Sequence, residues 1–164
     1  MRRCPVGLVA VLVVVALTGA ACSGGSSQLT HDQYQQQLNR IDQEAKTKLT
    51  ASLSALQGIT GLDQLPSVAD SLNKAADSVD GLADELDGLN PPDDAADANA
   101  KLVDALHGLA DSFRQLAEAA KNKDLEKFRE VGQGLQTSEA VKTGNQAGAE
   151  LRRAGYTVRN GIGQ

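Results

Sequence analysis

Between Leu65 and Leu89 the apolar residues recur in unbroken alternating steps of three and four, and this pattern constrains the fold more than any other feature. The main column is Leu65, Val68, Leu72, Ala75, Val79, Leu82, Leu86 and Leu89, with Ala69, Ala76 and Ala83 beside it. The spacing puts all of them on one face of an α-helix about 37 Å long. The intervening polar residues are predicted to face water: Asp70, Lys74, Asp77, Asp80, Asp84 and Asp87. A lone helix cannot bury such a face, so the pattern predicts a bundle organised around this helix.

A preceding helix is predicted from a strong start signal. Thr30 is in the N-cap position and Gln33 follows three residues later, which together form a capping box. Leu29 and Tyr34 occupy the two positions of a hydrophobic staple. Apolar residues at helical spacing continue as far as Leu56, and the glycines that follow are expected to end the helix.

A third helix is predicted after the sharpest break in the chain, Asn90-Pro91-Pro92-Asp93. The prolines end the preceding helix, and Asp93 is expected to cap the next one. So short a connection predicts that the two flanking helices are antiparallel neighbours. Three apolar columns are expected to be buried: Ala95, Leu102, Leu109 and Leu116; Ala98, Ala105, Ser112 and Ala119; and Leu106, Phe113 and Ala120.

The last helical region is predicted to start at an N-cap, Asp124, and to end at a left-handed Gly155 with Tyr156 folded back onto the helix. Glycines interrupt it, and Thr137-Ser138-Glu139 has the residues to restart a helix after a kink, so its continuity stays open. The chain as a whole predicts an all-α fold. We expect an up-down-up-down antiparallel four-helix bundle over residues 30–156, followed by a frayed tail over 157–164.

Residues 1–21 have the organisation of an export signal peptide. Arg2 and Arg3 form a positive n-region, an apolar run covers residues 6–17, and small residues lead to Cys22. The apolar run is shorter than the roughly 20 residues of a membrane-spanning helix. We therefore expect the segment to be cleaved.

A cysteine that follows small residues and precedes a Ser/Gly-rich stretch resembles the lipobox of bacterial lipoproteins. In that family the cysteine receives a diacylglyceryl group and becomes the mature N-terminus. The resemblance implies a lipidated Cys22, a flexible tether over residues 22–29, and anchoring at the extracytoplasmic face of the cell membrane. Cys22 would be the only cysteine left after cleavage, so it has no internal disulfide partner. Gly19 replaces the usual leucine, which leaves ordinary cleavage after Ala20 or Ala21, and a soluble secreted protein, as the alternative.

The acidic composition limits the classes of partner that the protein is expected to bind. The chain has a formal net charge of −5, and loss of the signal would leave 14 basic against 21 acidic residues. Nucleic-acid binding needs a basic patch, so no nucleic-acid partner is predicted. For the same reason the membrane contact is expected through the lipid on Cys22 and not through the charge of the domain. Aromatic residues are only 2% of the chain, which favours closely packed Leu/Val/Ala helices over a β-fold.

No catalytic, cofactor or metal site is recognisable, and we predict that the protein is not an enzyme. His31 and His107 are interpreted as surface histidines, because two isolated histidines cannot form a zinc or di-iron site. The acids at the proline turn lack EF-hand spacing and are interpreted as a solvated helix end: Asp84, Glu85, Asp87, Asp93, Asp94 and Asp97. Arg152, Arg153 and Arg159 are interpreted as cations at a helix C-terminus, with a lipid-headgroup contact as the alternative. Gly144 and Gly148 are spaced for close helix approach.

These features together resemble small helical envelope lipoproteins of actinobacteria. The resemblance rests on the Ala-Cys-Ser-Gly-Gly junction, on Leu29-Thr30 and Tyr34, and on the segment Leu89–Asp94 between Ala/Asp/Leu-rich helices. It implies a four-helix envelope lipoprotein and carries no assigned activity. Two function classes remain. An interaction or adaptor module that binds another envelope protein is the first expectation, and a small-molecule or lipid carrier with a pocket inside the bundle is the alternative. A continuous apolar pocket favours the carrier, whereas a filled core with an exposed apolar patch favours the adaptor.

Overall fold

The structure, a computed structural model, describes residues 27–54 and 65–158, and within them it contains five α-helices and no β-strand. The helices are α1 (His31–Ser54), α2 (Leu65–Asp87), α3 (Asp93–Lys121), α4 (Leu125–Leu135) and α5 (Glu139–Arg153). The predicted all-α fold is confirmed. Among these helices, none combines the length and the apolar character needed to cross a membrane.

Several predicted features lie outside the described residues. They are the signal peptide, Cys22, most of the tether, the end of the first helix near Leu56 and Arg159. Three tether residues, Ser27, Gln28 and Leu29, are described. Gln28 is not free at the end of the tether, because its side chain donates to the carbonyl of Pro91 at 3.2 Å and to Asp93 Oδ1 at 2.6 Å.

The predicted start of α1 is confirmed in atomic detail. The backbone N–H of Thr30 donates to Gln33 Oε1 at 2.9 Å, and the N–H of Gln33 donates to Thr30 Oγ1 at 3.3 Å, which is the reciprocal capping box. Leu29 and Tyr34 belong to the same apolar cluster. The N–H of Leu29 also donates to the carbonyl of Asn90 at 2.8 Å. The start of α1 is thereby fixed to the turn between α2 and α3.

In α2 the predicted face is buried over its whole length from Leu65 to Leu86, and Leu89, just beyond the helix, is half-buried. One prediction for the opposite face was wrong. Asp80 does not simply face water, because its side chain is 26% exposed and accepts hydrogen bonds from Arg114 and His107 of α3. Asp80 sits at the edge of the apolar face, where an α2 side chain reaches α3.

Helix α3, and not α2, is the helix with the most neighbours. It packs against α2, α4 and α5, whereas α2 packs against α1 and α3. Its buried face is accordingly wider than the three predicted columns and includes a fourth, Val103, Ala110 and Ala117, together with Asn99. Leu102 and Leu106 were expected in the core but are only half-buried.

The expected cap at Asp93 was wrong. Pro92 is the N-cap of α3, with φ −58° and ψ 153°, and no side chain caps this end. The proline ring fixes φ and its extended ψ delivers the chain into the helix, so Asp93 becomes the first helical residue. Asp93 and Asp94 still place negative charge in the first turn, where it complements the helix dipole.

The last helical region is divided into two helices. Asp124 caps α4 by accepting from the N–H of Lys127 at 2.9 Å, as predicted. Ser138 caps α5 by accepting from the N–H of Val141 at 3.3 Å, so a helix restarts here and the continuity that the sequence left open is resolved as two helices. Gly155 follows α5 with φ +93°, a left-handed conformation that glycine adopts without strain.

The chain beyond α5 is packed at its start, which corrects the expected fraying of residues 157 and 158. The N–H of Thr157 donates to Gln35 Oε1 at 2.6 Å, and Gln35 Nε2 donates to the carbonyl of Thr157 at 3.0 Å. Val158 packs against the apolar cluster shared by α1, α2, α3 and α5. A second cluster joins α2, α3 and α4.

Candidate functional site

A cavity of about 470 Å³ lies between α1 and α5, with α2 and α3 behind it. Most of its wall is aliphatic or glycine: Leu38, Ile41, Ala45, Leu82, Leu86, Leu102, Ala105, Leu106, Leu109, Ala140, Val141, Gly144, Gly148, Leu151 and Val158. The half-burial of Leu102 and Leu106 now has a physical cause. Both side chains line this cavity in addition to packing against the apolar clusters.

The cavity follows from unequal helix spacing. Helix α5 packs along α3 and α1 packs along α2, but the described parts of α1 and α5 lie apart along most of their lengths. Small residues bring α5 close to α3: a Cβ added at Gly108 would lie 2.9 Å from Ala140 Cβ, and one added at Gly144 would lie 3.4 Å from Ala105 Cβ. The close approach predicted for Gly144 is therefore observed, whereas Gly148 borders the cavity.

Tyr156, which follows α5 and is buried, lies outside the residues that line the cavity. Its ring stacks on His31 with centroids 4.1 Å apart and meets the ring of Tyr34 edge-on at 5.3 Å. Its hydroxyl donates to Asp94 Oδ1 at 3.0 Å. Its backbone N–H donates to the carbonyl of Leu151 at 3.0 Å, the long-range bond of a Schellman C-cap. These contacts join the start of α1, the start of α3 and the end of α5.

Behind Tyr156 lies a buried polar pair that sequence reasoning missed. The hydroxyl of Tyr34, whose side chain is fully buried, donates to Asn99 Oδ1 at 2.9 Å. Asn99 in turn donates to the carbonyl of Leu86 at 3.0 Å. Burial raises the pKa of Tyr34 well above its ordinary range, and burial together with the hydrogen bond to Asp94 raises the pKa of Tyr156 to about 12. Both tyrosines are neutral at any physiological pH.

The rim of the cavity is polar. Uncharged side chains there come from α1, from α5 and from the residues after it: Asn39, Gln43, Asn145 and Thr157. Two charged residues also line it, Asp42 and Arg152. Asp42 forms an ion pair with Lys46 one turn further along α1. An apolar interior with a few polar groups at the mouth is the usual composition of a small-molecule site.

The structure separates the other predicted candidates from the cavity lining. His31 is stacked on Tyr156, and His107 Nδ1 lies 3.0 Å from Asp80 Oδ1, so both histidines have partners. Both side chains are half-exposed. The acids at the proline turn are mostly exposed and do not converge. Within residues 27–54 and 65–158, no three His, Cys, Asp or Glu side chains are arranged to hold a metal ion.

No protein-family model, curated protein or solved structure matches this chain.

Arg152 is the predicted residue that the fold brings to the cavity. Its interpretation as a helix-terminal cation is consistent with its place in the last turn of α5, as is that of Arg153. A pocket inside the bundle was given only as the alternative expectation, and its lining residues were not predicted because they come from four helices. The half-buried leucines of α3 and the small residues of α5 were visible in the sequence only as ordinary bundle positions.

Proposed function

We propose that the bundle binds an apolar small molecule or lipid chain in the cavity between α1 and α5, and so acts as a carrier or binding protein. The observation that carries this proposal is the cavity itself, a half-open and mostly aliphatic cleft of about 470 Å³ between α1 and α5. Ligand pockets range over roughly 300–1,000 Å³. Because the cleft is open to solvent, its apolar wall stays in contact with water unless a ligand covers it.

The wall chemistry supports an aliphatic ligand. Side chains such as Leu102 and Leu106 are half-buried at the cavity and would be covered by a bound chain. Burial of each CH₂ contributes about 0.8 kcal/mol, so ten methylenes contribute about 8 kcal/mol. That corresponds to a Kd of roughly 1 μM before the cost of ordering the ligand. The cavity can therefore hold a lipid chain at useful affinity without any catalytic group.

The adaptor function has less support and stays a prediction. A partner-binding face needs a contiguous exposed apolar patch. In the part of the chain that the structure describes, Leu125 is the one large hydrophobic residue that is exposed, at 42%. A single leucine does not make such a patch.

The proposal includes the predicted up-down-up-down arrangement. Contacts between neighbouring helices support it, because the contacted residue number on one helix falls as the residue number on the other rises. The pairs are Leu29–Asn90 and Arg40–Glu85, Leu86–Asn99 and Asp80–Arg114, and Lys101–Glu150 and Gly108–Ala140. We further propose that Cys22 is lipidated and anchors the domain at the extracytoplasmic face of the membrane, which would put the cavity within reach of lipid ligands.

The proposal is tested with a neutral fluorescent probe, N-phenyl-1-naphthylamine, whose emission rises in an apolar environment. Wild-type protein is expected to give a saturable rise. Gly148→Leu should abolish it, because Gly148 lines the cavity and the atom nearest to an added Cβ, Arg152 Nη1 at 3.6 Å, is the end of a flexible side chain.

The matched control is Gly81→Leu. Gly81 is also a helical glycine, but it lies in α2 away from the cavity and an added Cβ meets nothing within 4 Å. This variant should bind the probe like wild type, and thermal melts should show both variants folded. Absence of saturable binding in wild type, or unchanged binding in folded Gly148→Leu, would overturn the proposal.

A further inference from the structure

We propose that the ligand of the cavity is an anionic amphiphile, with its apolar chain inside the bundle and a carboxylate or phosphate headgroup held by Arg152 at the rim. The inference rests on the proposed function and adds the chemical class of the ligand. Its basis is the charge distribution at the mouth of the cavity.

Arg152 is the one basic residue among those that line the cavity. Its guanidinium folds back along α5, so that Nη1 lies 3.6 Å from the position of a Cβ on Gly148. A side chain in a helix points toward the N-terminus, and the residue four positions earlier is the one that it covers. Because Gly148 has no side chain, the guanidinium can lie across it at the edge of the cavity.

Within the described residues, Arg152 has no ion pair or side-chain hydrogen bond, in contrast to the other charged groups nearby. Glu150 accepts from Lys101 Nζ through both carboxylate oxygens, at 2.6 and 2.7 Å. Asp42, the acid that lines the cavity, pairs with Lys46. The rim therefore presents a cation whose acidic neighbours are already engaged.

Arg152 is also not needed to cap α5. The N–H of Ala154 donates to the carbonyl of Glu150, the N–H of Gly155 to that of Arg152, and the N–H of Tyr156 to that of Leu151. Three of the last carbonyls are thereby satisfied by the backbone. The guanidinium keeps all its donors for a ligand, and its planar fork matches a carboxylate or phosphate.

Two side-chain amides among the lining residues are further donors for the proposed headgroup. Gln43 of α1 and Asn145 of α5 line the cavity on either side, and both carry N–H donors. The rest of the domain is acidic, with a formal net charge of −5 for the chain, so it does not attract anions in general. An anionic headgroup is favoured only if its chain occupies the cavity, which selects amphiphiles over free phosphate or carboxylate.

The test compares three ligands with the same chain and different heads: dodecanoate, dodecyl phosphate and dodecanol. Each displaces N-phenyl-1-naphthylamine from purified protein. Wild type is expected to bind at least one anionic ligand about tenfold or more tightly than dodecanol, which is the scale of a charge-assisted hydrogen bond. The tighter of the two anions distinguishes a fatty-acid source from a phospholipid source.

In Arg152→Gln the affinity for the anionic ligands should fall to that for dodecanol, while the affinities for dodecanol and for the probe should stay as in wild type. Arg153→Gln is the matched control, because Arg153 is the adjacent exposed arginine and does not line the cavity. Equal affinities for all three ligands in wild type, or an anionic preference that survives Arg152→Gln, would overturn this inference and leave the cavity's function intact. Failure of every ligand and of the probe would instead remove the proposed function.

Discussion

The tight contact between α3 and α5 predicts opposite effects for two chemically identical substitutions. Gly81→Ala and Gly108→Ala both replace a glycine in a helix interior, which by itself stabilises a helix by about 1 kcal/mol. At Gly81 the added Cβ meets nothing within 4 Å, so the full gain is expected. At Gly108 the added Cβ would lie 2.9 Å from Ala140 Cβ, closer than real Cβ atoms approach one another.

The Gly108 clash cannot be relieved by a rotamer change. Both atoms are Cβ atoms, fixed by the backbones of α3 and α5, so the helices must separate. Overpacking of this kind costs about 1–3 kcal/mol. We therefore expect Gly108→Ala to be less stable than Gly81→Ala by about 1–3 kcal/mol, since the helix-propensity gain is common to both. For a chain of this size each kcal/mol shifts Tm by about 2–4 °C.

Urea unfolding followed by circular dichroism gives the two free energies, and a double-mutant cycle isolates the contact. In Ala140→Gly the obstructing methyl is absent, so Gly108→Ala should there recover the gain seen at Gly81. The coupling energy is expected to be at least about 1 kcal/mol. If Gly108→Ala stabilises the wild-type protein as much as Gly81→Ala does, α3 and α5 are not in close contact and our account of the cavity's origin is wrong.

Two further predictions concern the tyrosines and the anchor. The chain has two tyrosines and no tryptophan, so tyrosinate absorbance reports on Tyr34 and Tyr156 alone. Both have raised pKa values, so in the native protein neither should titrate near pH 10, whereas both should do so in urea. Because the neutral form is favoured in the fold, the stability gained is complete below pH 10 and is lost as pH rises toward 12; native titration near pH 10 would mean that the tyrosines are exposed. Mass spectrometry of the mature N-terminus should find a diacylglyceryl group on Cys22. The Cys22→Ala variant should be lost from the membrane fraction, unless its signal peptide is not cleaved. An unmodified cysteine, or a chain that begins at Ala21, would leave a secreted bundle in place of a lipoprotein.

Much of the fold was predictable because local signals agree with the packing. The apolar face of α2, the capping box at Thr30 and the caps at Asp124 and Ser138 each depend on residues within a few positions of one another. The left-handed conformation of Gly155 was likewise predicted from its immediate neighbours in the sequence. Periodicity and capping chemistry are properties of short segments, so they can be read without knowledge of the tertiary contacts.

What escaped prediction depends on contacts between distant segments. The fourth buried column of α3 exists because α2, α4 and α5 all pack on that helix, and no segment of α3 encodes how many neighbours it has. In the sequence Asn99 is only a polar residue next to a buried column of α3. Its burial and its hydrogen bond depend on Tyr34, which comes from the distant helix α1. Asp93 was expected to be the N-cap of α3, but the N-cap is Pro92, one residue earlier. Both residue types occur at helix starts, so the sequence alone did not decide between them.

The glycines of α5 connect the composition of the chain to its proposed function. Each glycine in a helix interior costs about 1 kcal/mol relative to alanine, so a helix that keeps Gly144 and Gly148 needs a reason at each position. At Gly144 an alanine Cβ would just touch Ala105 Cβ at 3.4 Å, so this glycine lies at the contact between α5 and α3. At Gly148 no helix is in the way, and the nearest atom belongs to the Arg152 guanidinium. Alanine there would add helix stability and would meet only the end of the Arg152 side chain, at an ordinary contact distance. Under our proposal that the cavity binds an anionic amphiphile, glycine at this position keeps the cavity open beside Arg152.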